Sequence, residues 1–203
     1  FAWYQGTMKY DAEIDCPVGV ISGKDSHTSG AGKAYFLKID PVTGEITLDI
    51  AGQYDDSDTY GCFTQSFFID NDGNYHFYAV MNEPSGWTAH EYRKYTSTDK
   101  GSTWTYAVET DYQWTFGSII KLKSGRLIGL KSYGANTRNQ IIYSDDDGDS
   151  WTTGKVFSES IEVELIELDN TIMAIGRKAL TRLRVYSGTE HKHEAQKPVE
   201  YSL

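Results

Sequence analysis

Two tryptophans in loop-like surroundings are the side chains of this sequence with the plainest binding chemistry. Trp87 ends the segment Glu-Pro-Ser-Gly-Trp, and Trp114 ends the segment Asp-Tyr-Gln-Trp. An exposed indole can stack on the C–H face of a sugar ring, so both are candidate substrate-binding residues. Packing in the core is the competing interpretation for each, because an indole buries a large apolar area.

Three other patterns lack the spacing that their chemistry requires. The acidic run 145–149 lacks the alternate-position ligands and the distal Glu of an EF-hand calcium loop. The glycine-rich stretch 22–33 lacks the G-x-x-x-x-G-K-[ST] frame of a phosphate-binding loop and a helix pattern after it. The five histidines have no metal-ligand spacing of any strength. We therefore predict neither a metal site nor a cofactor.

An eight-residue phrase occurs twice in the chain. It reads STDKGSTW over 97–104 and SDDDGDSW over 144–151. Both copies follow the pattern S-x-D-x-G-x-[ST]-W, and Trp104 and Trp151 are 47 positions apart. A period of that length suits one four-stranded blade of a β-propeller.

The composition of the phrase predicts a tight reversal between two strands. Its glycine can take a positive φ without steric cost, and its aspartate is a short acceptor for backbone N–H groups of the turn. The tryptophan is predicted to fold back under the hairpin and to be buried. The phrase therefore predicts a structural role for Ser97, Asp99, Gly101, Trp104, Ser144, Asp146, Gly148 and Trp151.

The phrase resembles the Asp-box of the sialidase (neuraminidase) superfamily, also found in other propellers with bacterial neuraminidase repeats. The segment 162–177 is similar to a family segment that reads roughly E-P-x-x-V-E-L-x-D-G-x-L-x-x-x-x-R. This chain lacks the Pro and is one residue shorter at the turn, where Asn170 stands. In the family, the Glu assists a tyrosine nucleophile and the Arg is one of three that bind the substrate carboxylate.

The resemblance thus implies a catalytic role for Glu162 and a substrate-binding role for Arg177. A solvated strand end and a surface ion pair are the competing interpretations of these two residues. The rest of a sialidase site does not follow from this sequence. Arg182, Arg184 and Tyr186 come too soon after Arg177 for the third arginine and the tyrosine. Candidates for the acid/base aspartate exist by composition only: Asp25, Asp55, Asp56 and Asp58.

The composition limits the classes of partner. The formal net charge of −10 argues against nucleic acid, whose phosphates need clustered Lys and Arg, and against anionic membrane surfaces. Aromatic residues make up 14% of the 203 residues, which suits β structure and sugar-stacking surfaces. No apolar run has the length of a membrane-spanning helix, and the start at Phe1 suggests a piece of something longer. Whether Cys16 and Cys62 pair stays open.

The strand and turn signals repeat along the whole chain and predict an all-β fold. We expect a sialidase-like β-propeller with about four blades of four-stranded antiparallel sheet, over residues 1–57, 58–110, 111–157 and 158–203. A degenerate copy of the phrase at 40–46 keeps its Asp and Gly but lacks the Trp. Because an open arc would leave exposed sheet edges, we expect further blades, a neighbouring domain or other subunits, within a five- or six-bladed propeller.

Three functions are compatible with this pattern. The first is glycan recognition by a propeller module of a larger protein, for example a phage tail or receptor-binding protein or a bacterial surface protein. The second is a glycoside hydrolase of the exo-sialidase type, of which this chain holds part of the active site. The third is a protein-binding propeller. A glycan or glycoconjugate partner implies an extracellular, cell-surface or virion location.

Overall fold

The computed structural model describes residues 2–24, 32–54, 60–83, 89–109, 119–133, 138–157, 161–168, 171–177, 183–189 and 199–200. All regular elements in these ranges are β-strands. No helix that could span a bilayer occurs in the described ranges. The strands of the first half are β1 (Ala2–Asp11), β2 (Cys16–Lys24), β3 (Gly32–Ile39), β4 (Ile46–Gly52), β5 (Gly61–Ile69), β6 (Tyr75–Asn82), β7 (Ala89–Ser97) and β8 (Thr105–Val108). Those of the second half are β9 (Ile120–Lys121), β10 (Leu127–Tyr133), β11 (Arg138–Ser144), β12 (Thr152–Phe157), β13 (Ile161–Leu168), β14 (Thr171–Arg177), β15 (Leu183–Thr189) and β16 (Val199–Glu200).

Consecutive strands pair antiparallel, which confirms the prediction of an all-β chain built from four-stranded sheets. The sheets are β1–β4, β5–β8, β9–β12 and β13–β16, each a simple meander. A single parallel bridge between Gly32 and Gly61 joins the first two sheets. The chain divides into two compact units, residues 1–112 and 113–203, and each unit contains two sheets.

The core of the first unit lies between its two sheets. Val20 and Phe36 of the first sheet pack with Phe77 and Met81 of the second, and all four are buried. The Phe36 and Tyr75 rings have centroids 5.5 Å apart. Cross-sheet contacts of this kind follow from the two-residue period of a strand, which sends alternate side chains to one face. Cys16 and Cys62 are buried in the same core as thiols, with no disulfide bond between them.

The other face of the first sheet is apolar but exposed. In register, Ile46, Leu48 and Ile50 of β4 stand opposite Ile39, Leu37 and Tyr35 of β3, so their side chains share one face. The large apolar side chains exposed on this face, each between 43% and 58% exposed, are Met8, Tyr10, Ile46, Leu48 and Ile50. We call these five residues the open face.

The core of the second unit lies between the third and fourth sheets. Its buried residues are Ile120, Leu122, Ile128, Leu130, Leu165 and Ala174. The backbone N–H of Lys123 donates a hydrogen bond of 3.2 Å to Glu167 Oε2, which ties the turn after β9 to β13. Each unit therefore consists of two twisted sheets packed face to face.

Candidate functional site

The two ends of each sheet carry different connections. Because neighbouring strands are antiparallel, the connections after the first and third strands of a sheet lie at one end, which we call the turn end. In the first unit these are 12–15, 40–45, 70–74 and 98–104. The connection after the second strand lies at the opposite end, the loop end, and spans 25–31 in the first sheet and 83–88 in the second. Binding and catalytic groups tend to be carried by loops on a rigid scaffold.

The first copy of the repeated phrase, 97–104, forms a closed hydrogen-bonded turn at the turn end. Ser97 Oγ donates to Asp99 Oδ1 at 2.8 Å and accepts from Gly101 N at 2.8 Å. Asp99 in turn accepts from Thr103, through the backbone N at 2.8 Å and the hydroxyl at 2.6 Å. These bonds use the short polar side chains to satisfy backbone N–H groups that the reversal leaves unpaired.

The second copy, 144–151, repeats this network atom for atom. Ser144 Oγ donates to Asp146 Oδ1 at 2.7 Å and accepts from Gly148 N at 2.8 Å. Asp146 accepts from Ser150 N at 2.9 Å and from Ser150 Oγ at 2.6 Å. The two networks coincide although the phrases differ at four inner positions, one of which exchanges Thr for Ser, so the restricted positions carry the geometry.

These hydrogen bonds change the acidity of the two aspartates. The Thr103 hydroxyl and amide, with the Ser97 hydroxyl, lower the pKa of Asp99 from 3.8 to about 2. The Ser150 and Ser144 hydroxyls, with the Ser150 amide, do the same for Asp146, whose pKa is also about 2. Hydrogen bonds to a carboxylate favour its charged form. Both groups are therefore anchors of a turn and lack the raised pKa of a general acid.

The backbone angles of the two turns agree with the prediction for the glycines and add one further residue to each turn. Gly101 and Gly148 have φ of 85° and 84°, in the region predicted for them. Lys100 and Asp147, the residues just before them, also have positive φ, 58° and 56°, which the sequence did not indicate. Such values are uncommon outside glycine, so each turn holds two residues in the left-handed region.

Trp104 and Trp151 were predicted to be buried, and this is wrong for both, since each is half-buried. Trp104 sits beside the outermost strand of its sheet, and its ring lies 5.6 Å from Phe36 and 5.0 Å from Phe77 between centroids. Its Nε1 donates to Gly101 O at 3.2 Å. One side of the indole therefore packs on the core while the rest stays accessible.

Lys100 connects three turns at the turn end of the first unit. Its Nζ lies 2.6 Å from Glu13 Oε2, 3.3 Å from Asp11 Oδ2 and 3.0 Å from Gly73 O. Asp11 is buried and also accepts from the Tyr75 hydroxyl. Although burial opposes its charge, these hydrogen bonds lower the pKa of Asp11, whereas burial and the bond to Asp11 raise the pKa of Tyr75. These hydrogen bonds and ion pairs hold the turns at this end of the first unit together, which indicates a structural role for the turn end.

A buried arginine organises the loop end of the first unit. Arg93 Nη1 donates to Gln53 O at 3.0 Å, and Arg93 Nε pairs with Glu91. Although burial opposes its charge, hydrogen bonds to Tyr95 and Glu91 raise the pKa of Arg93. The guanidinium lies 4.8 Å from the Tyr54 ring centroid and 4.0 Å from that of Tyr106, between two aromatic faces. No local sequence pattern predicts this cluster, because its members come from three separate segments.

Two buried amides are further polar residues that sequence reasoning missed. Gln65 is 6% exposed and Asn82 is 1% exposed, and neither side chain has a hydrogen-bond partner among the described residues. Gln65 stands at the register shift of β5, and Asn82 ends β6 at the loop end, opposite Gly61. An unpaired buried amide costs about 1–3 kcal/mol, so both are candidate polar contacts for a ligand.

Glu162 and Arg177 lie on neighbouring strands at the loop end of the fourth sheet. Arg177 ends β14 and stands opposite Ile161, the first residue of β13. Glu162 follows Ile161 in a β-bulge, where the register shifts before Val163. Bulges bend a strand and re-aim side chains, and they are frequent beside active sites. Trp87, Trp114 and the aspartates proposed by composition, Asp25, Asp55, Asp56 and Asp58, lie outside the described residues.

In the described ranges, no group of three or more His, Cys, Asp or Glu is arranged to hold a metal ion. No sequence profile of a known protein family matches the chain. A stretch of 29 residues, 14% of the chain, is 65% identical to part of the large ribosomal subunit protein uL13 of Thermosipho africanus. A match of that length shows no family for the chain.

The fold has clear relatives among solved structures. A mutant of NanB sialidase from Streptococcus pneumoniae superposes with a TM-score of 0.81 over 99% of this chain and 52% of that one, at 10% identity. Trypanosoma rangeli sialidase gives a TM-score of 0.70 over 98% of this chain and 38% of that one, at 15% identity. Zg3597, a family 117 glycoside hydrolase of the marine bacterium Zobellia galactanivorans, gives 0.68 over 92% and 67%, at 11% identity.

The fold is that of a sialidase β-propeller. Each four-stranded sheet is one blade, and the first unit holds two blades and the second unit two more. The chain spans about half the length of NanB and less than two-fifths of the T. rangeli enzyme. At these identities the likeness shows the propeller architecture, and the chemistry has to be argued from the residues.

Proposed function

We propose that this chain is the glycan-recognition part of a sialidase-like propeller. We propose that its ligand is a glycan with a sugar that bears a carboxylate group. The observation that carries the proposal is the position of Arg177 and Glu162 on neighbouring strands, at the loop end of the fourth blade. A guanidinium binds a carboxylate through two parallel charge-assisted hydrogen bonds, which suits a sialic acid. The architecture shared with sialidases supports the same class of ligand.

The geometry of the two repeat turns supports the relation to sialidase-like propellers on which this proposal depends. Both repeat turns use Ser, Asp and Gly in one hydrogen-bond network, and we assign them as Asp-boxes. They lie at the turn end of their blades, so their role is to hold the outer hairpins. We propose further that the parent protein acts at a cell surface or on a virion, as in a phage receptor-binding protein, where glycans are met.

The test is a glycan array, scored together with release of a fluorogenic sialoside. We expect binding to sialylated glycans that Arg177→Ala abolishes and Arg177→Lys only partly restores, because Lys cannot form the bidentate pair. Arg126→Ala is the matched control, since Arg126 forms an ion pair with Asp145 at the turn end, 2.7 Å from Nε to Oδ1. Binding that survives Arg177→Ala, or an array with no sialylated hits, would overturn the proposal.

Exo-sialidase activity is the second candidate, and the bulge at Glu162 is the observation that favours it. In that case sialoside release would be measurable, and Glu162→Gln would lower kcat while leaving glycan binding intact, as expected for loss of a group that acts on the nucleophile. Binding without release identifies a recognition module. Binding to protein ligands, together with no binding to any glycan of the array, would indicate a protein-binding propeller.

A further inference from the structure

The two blades of the first unit separate at their outer strands and leave a notch. Asp49 of β4 stands opposite Phe36 of β3 in register, so both side chains lie on the face toward the second blade. Phe36 is buried, but Asp49 is exposed. In the second blade, Tyr106 of β8 stands opposite Tyr95 of β7, and Tyr95 is 3% exposed whereas Tyr106 is 53% exposed.

Along residues 46–50 of β4 and 105–108 of β8, the packing between the blades therefore stops at β3 and β7, whereas Ala51 and Gly52 at the end of β4 are buried. We call the space flanked by the inward faces of β4 and β8 the notch. Thr47 and Asp49 lie on its first wall, and Trp104, Tyr106 and Val108, at alternate positions along the chain, lie on its second. At the loop end the notch is closed, because Tyr95 Oη donates to Gln53 O at 3.1 Å.

The aromatic wall of the notch is held rigid from behind. The Arg93 guanidinium lies 4.0 Å from the Tyr106 ring centroid, and the Tyr95 ring lies 5.6 Å from it. The exposed half of the Tyr106 ring is therefore a fixed platform, and no conformational freedom has to be lost when a ligand stacks on it. Trp104 is fixed in the same way by Phe36 and Phe77.

The charged groups that face the notch balance one another, which favours a neutral ligand. Arg93 is already paired with Glu91 and with backbone carbonyl oxygens of 53 and 54, so its charge is compensated inside the protein. On the opposite wall, Lys38, whose Nζ lies 5.4 Å from the Phe36 ring centroid, and Asp49 bring one charge of each sign, and Thr47 adds a hydroxyl. The chain as a whole carries a net charge of −10, which repels polyanions.

We propose that the notch is a binding site for a neutral oligosaccharide, separate from the Glu162 and Arg177 region. A pyranose ring has an apolar C–H face that matches the exposed ring of Tyr106 and the accessible part of the Trp104 indole, and a rim of hydroxyls that Asp49 and Thr47 can hydrogen-bond. Trp104 directly precedes β8 and Tyr106 lies two residues later, so the two rings engage successive parts of an extended sugar chain. The site would hold a glycan chain along the outer edge of the propeller.

The experiment is a titration of the whole 203-residue chain with neutral hexasaccharides, namely cello-, xylo-, manno- and malto-oligomers, followed by calorimetry and saturation-transfer NMR. We expect at least one of them to bind, and Tyr106→Ala to weaken that binding by about tenfold, as expected for loss of one stacking platform. Tyr106→Phe keeps the ring and should bind like the wild type. Thr105→Ala, an exposed position on the opposite face of the same strand, is the matched control.

A second variant keeps the test decisive if Tyr106→Ala alters the fold. Thr47→Arg places a long side chain in the notch from the opposite, exposed wall and should block the same hexasaccharide. Failure of all four sugars to bind, or equal affinity of the wild type, Tyr106→Ala and Thr47→Arg, would overturn the proposal. Because sialoside binding is scored through Arg177, loss of either site is distinguishable from loss of the other.

Discussion

Thr103 donates two hydrogen bonds to the carboxylate of Asp99, from its backbone amide at 2.8 Å and from its hydroxyl at 2.6 Å. Ser150 makes the same pair of bonds to Asp146 in the other unit of the chain, at 2.9 Å and 2.6 Å. Each turn is thus closed by one ionised carboxylate that bonds to both polar groups of the residue four positions later.

These carboxylates should make the fold sensitive to acid. The pKa of both Asp99 and Asp146 is about 2 in the folded chain, below the ordinary value of 3.8. Their stabilisation is therefore complete above about pH 4 and is lost as the pH falls from about 4 to 2. Urea unfolding at a series of pH values should show a smaller decline over this window in Asp99→Asn with Asp146→Asn. Asp72→Asn, an exposed turn carboxylate, is the control, and an unchanged decline in the double variant would contradict the assignment.

Gly101 and Gly44 should respond differently to the same substitution. Both have positive φ, so Gly→Ala costs about 1–2 kcal/mol at either position from backbone strain alone. At Gly44 an added Cβ meets no atom within 4 Å, whereas at Gly101 it would lie 2.7 Å from Phe36 Cζ. Overpacking a core ring typically adds about 1–3 kcal/mol, so Gly101→Ala should be the more destabilising variant in denaturant titrations. Equal losses would show that Phe36 yields without cost.

The serine that opens each repeat turn should matter more than its exposed neighbours. Ser97 and Ser144 are 1% and 2% exposed, and each hydroxyl accepts from a glycine N–H at 2.8 Å. Ser→Ala leaves that N–H unpaired, which costs about 1–3 kcal/mol when the group is buried. Ser102→Ala, an exposed position in the first turn, should change the free energy of unfolding by less than about 0.5 kcal/mol. A loss no larger than that at Ser97 would contradict the role of the hydroxyl.

Trp104 should contribute less to stability than a fully buried indole. Large aromatic residues in a core lose about 3–5 kcal/mol on truncation to Ala, and Trp104 packs only one side on Phe36 and Phe77. We expect a loss of about 2 kcal/mol for Trp104→Ala and a smaller one for Trp104→Phe, measured by chemical unfolding. A loss as large as that of Phe77→Ala would mean that the accessible part of the indole also packs.

The open face should cause the isolated chain to self-associate. Ile46, Leu48 and Ile50 expose apolar surface on one sheet face, which soluble monomers rarely leave bare. Leu48→Lys with Ile50→Lys should lower the weight-average mass measured by sedimentation velocity at high protein concentration. Thr47→Lys with Asp49→Lys adds lysines to the other face of the same strand and should have little effect. A monomer at all concentrations in the wild type would contradict this prediction.

The repeat turns show how much of this fold the sequence could predict. Turn chemistry is local, so a Ser, an Asp and a Gly at fixed spacing were enough to place the reversal and its positive-φ glycine. The strand pattern with two-residue periodicity was enough to identify four successive sheets of antiparallel strands. The contacts of the Lys100 side chain could not be foreseen, because its partners Asp11 and Glu13 lie more than 80 positions away in the sequence.

The candidate sites depend on contacts of the same long-range kind. Arg93 is buried only because carbonyl oxygens 40 and 39 positions earlier in the chain receive its N–H groups, and no local pattern encodes that. The half-burial of Trp104 likewise follows from its place beside an outermost strand, which composition does not reveal. Glu162 and Arg177 could be proposed because hairpin neighbours are close in sequence, whereas the roles of Trp87 and Trp114 stay predictions.

The separation of the hydrogen-bonded reversals from the connections at the loop end has a practical consequence for protein engineering. Segments 25–31, 83–88 and 134–137 leave and re-enter their sheets at one end, while the polar networks that close the hairpins lie at the other. Libraries randomised in those three segments would leave every hydrogen bond of the reversals untouched. The chain thus offers a scaffold on which new specificities can be selected without redesign of the strands that display them.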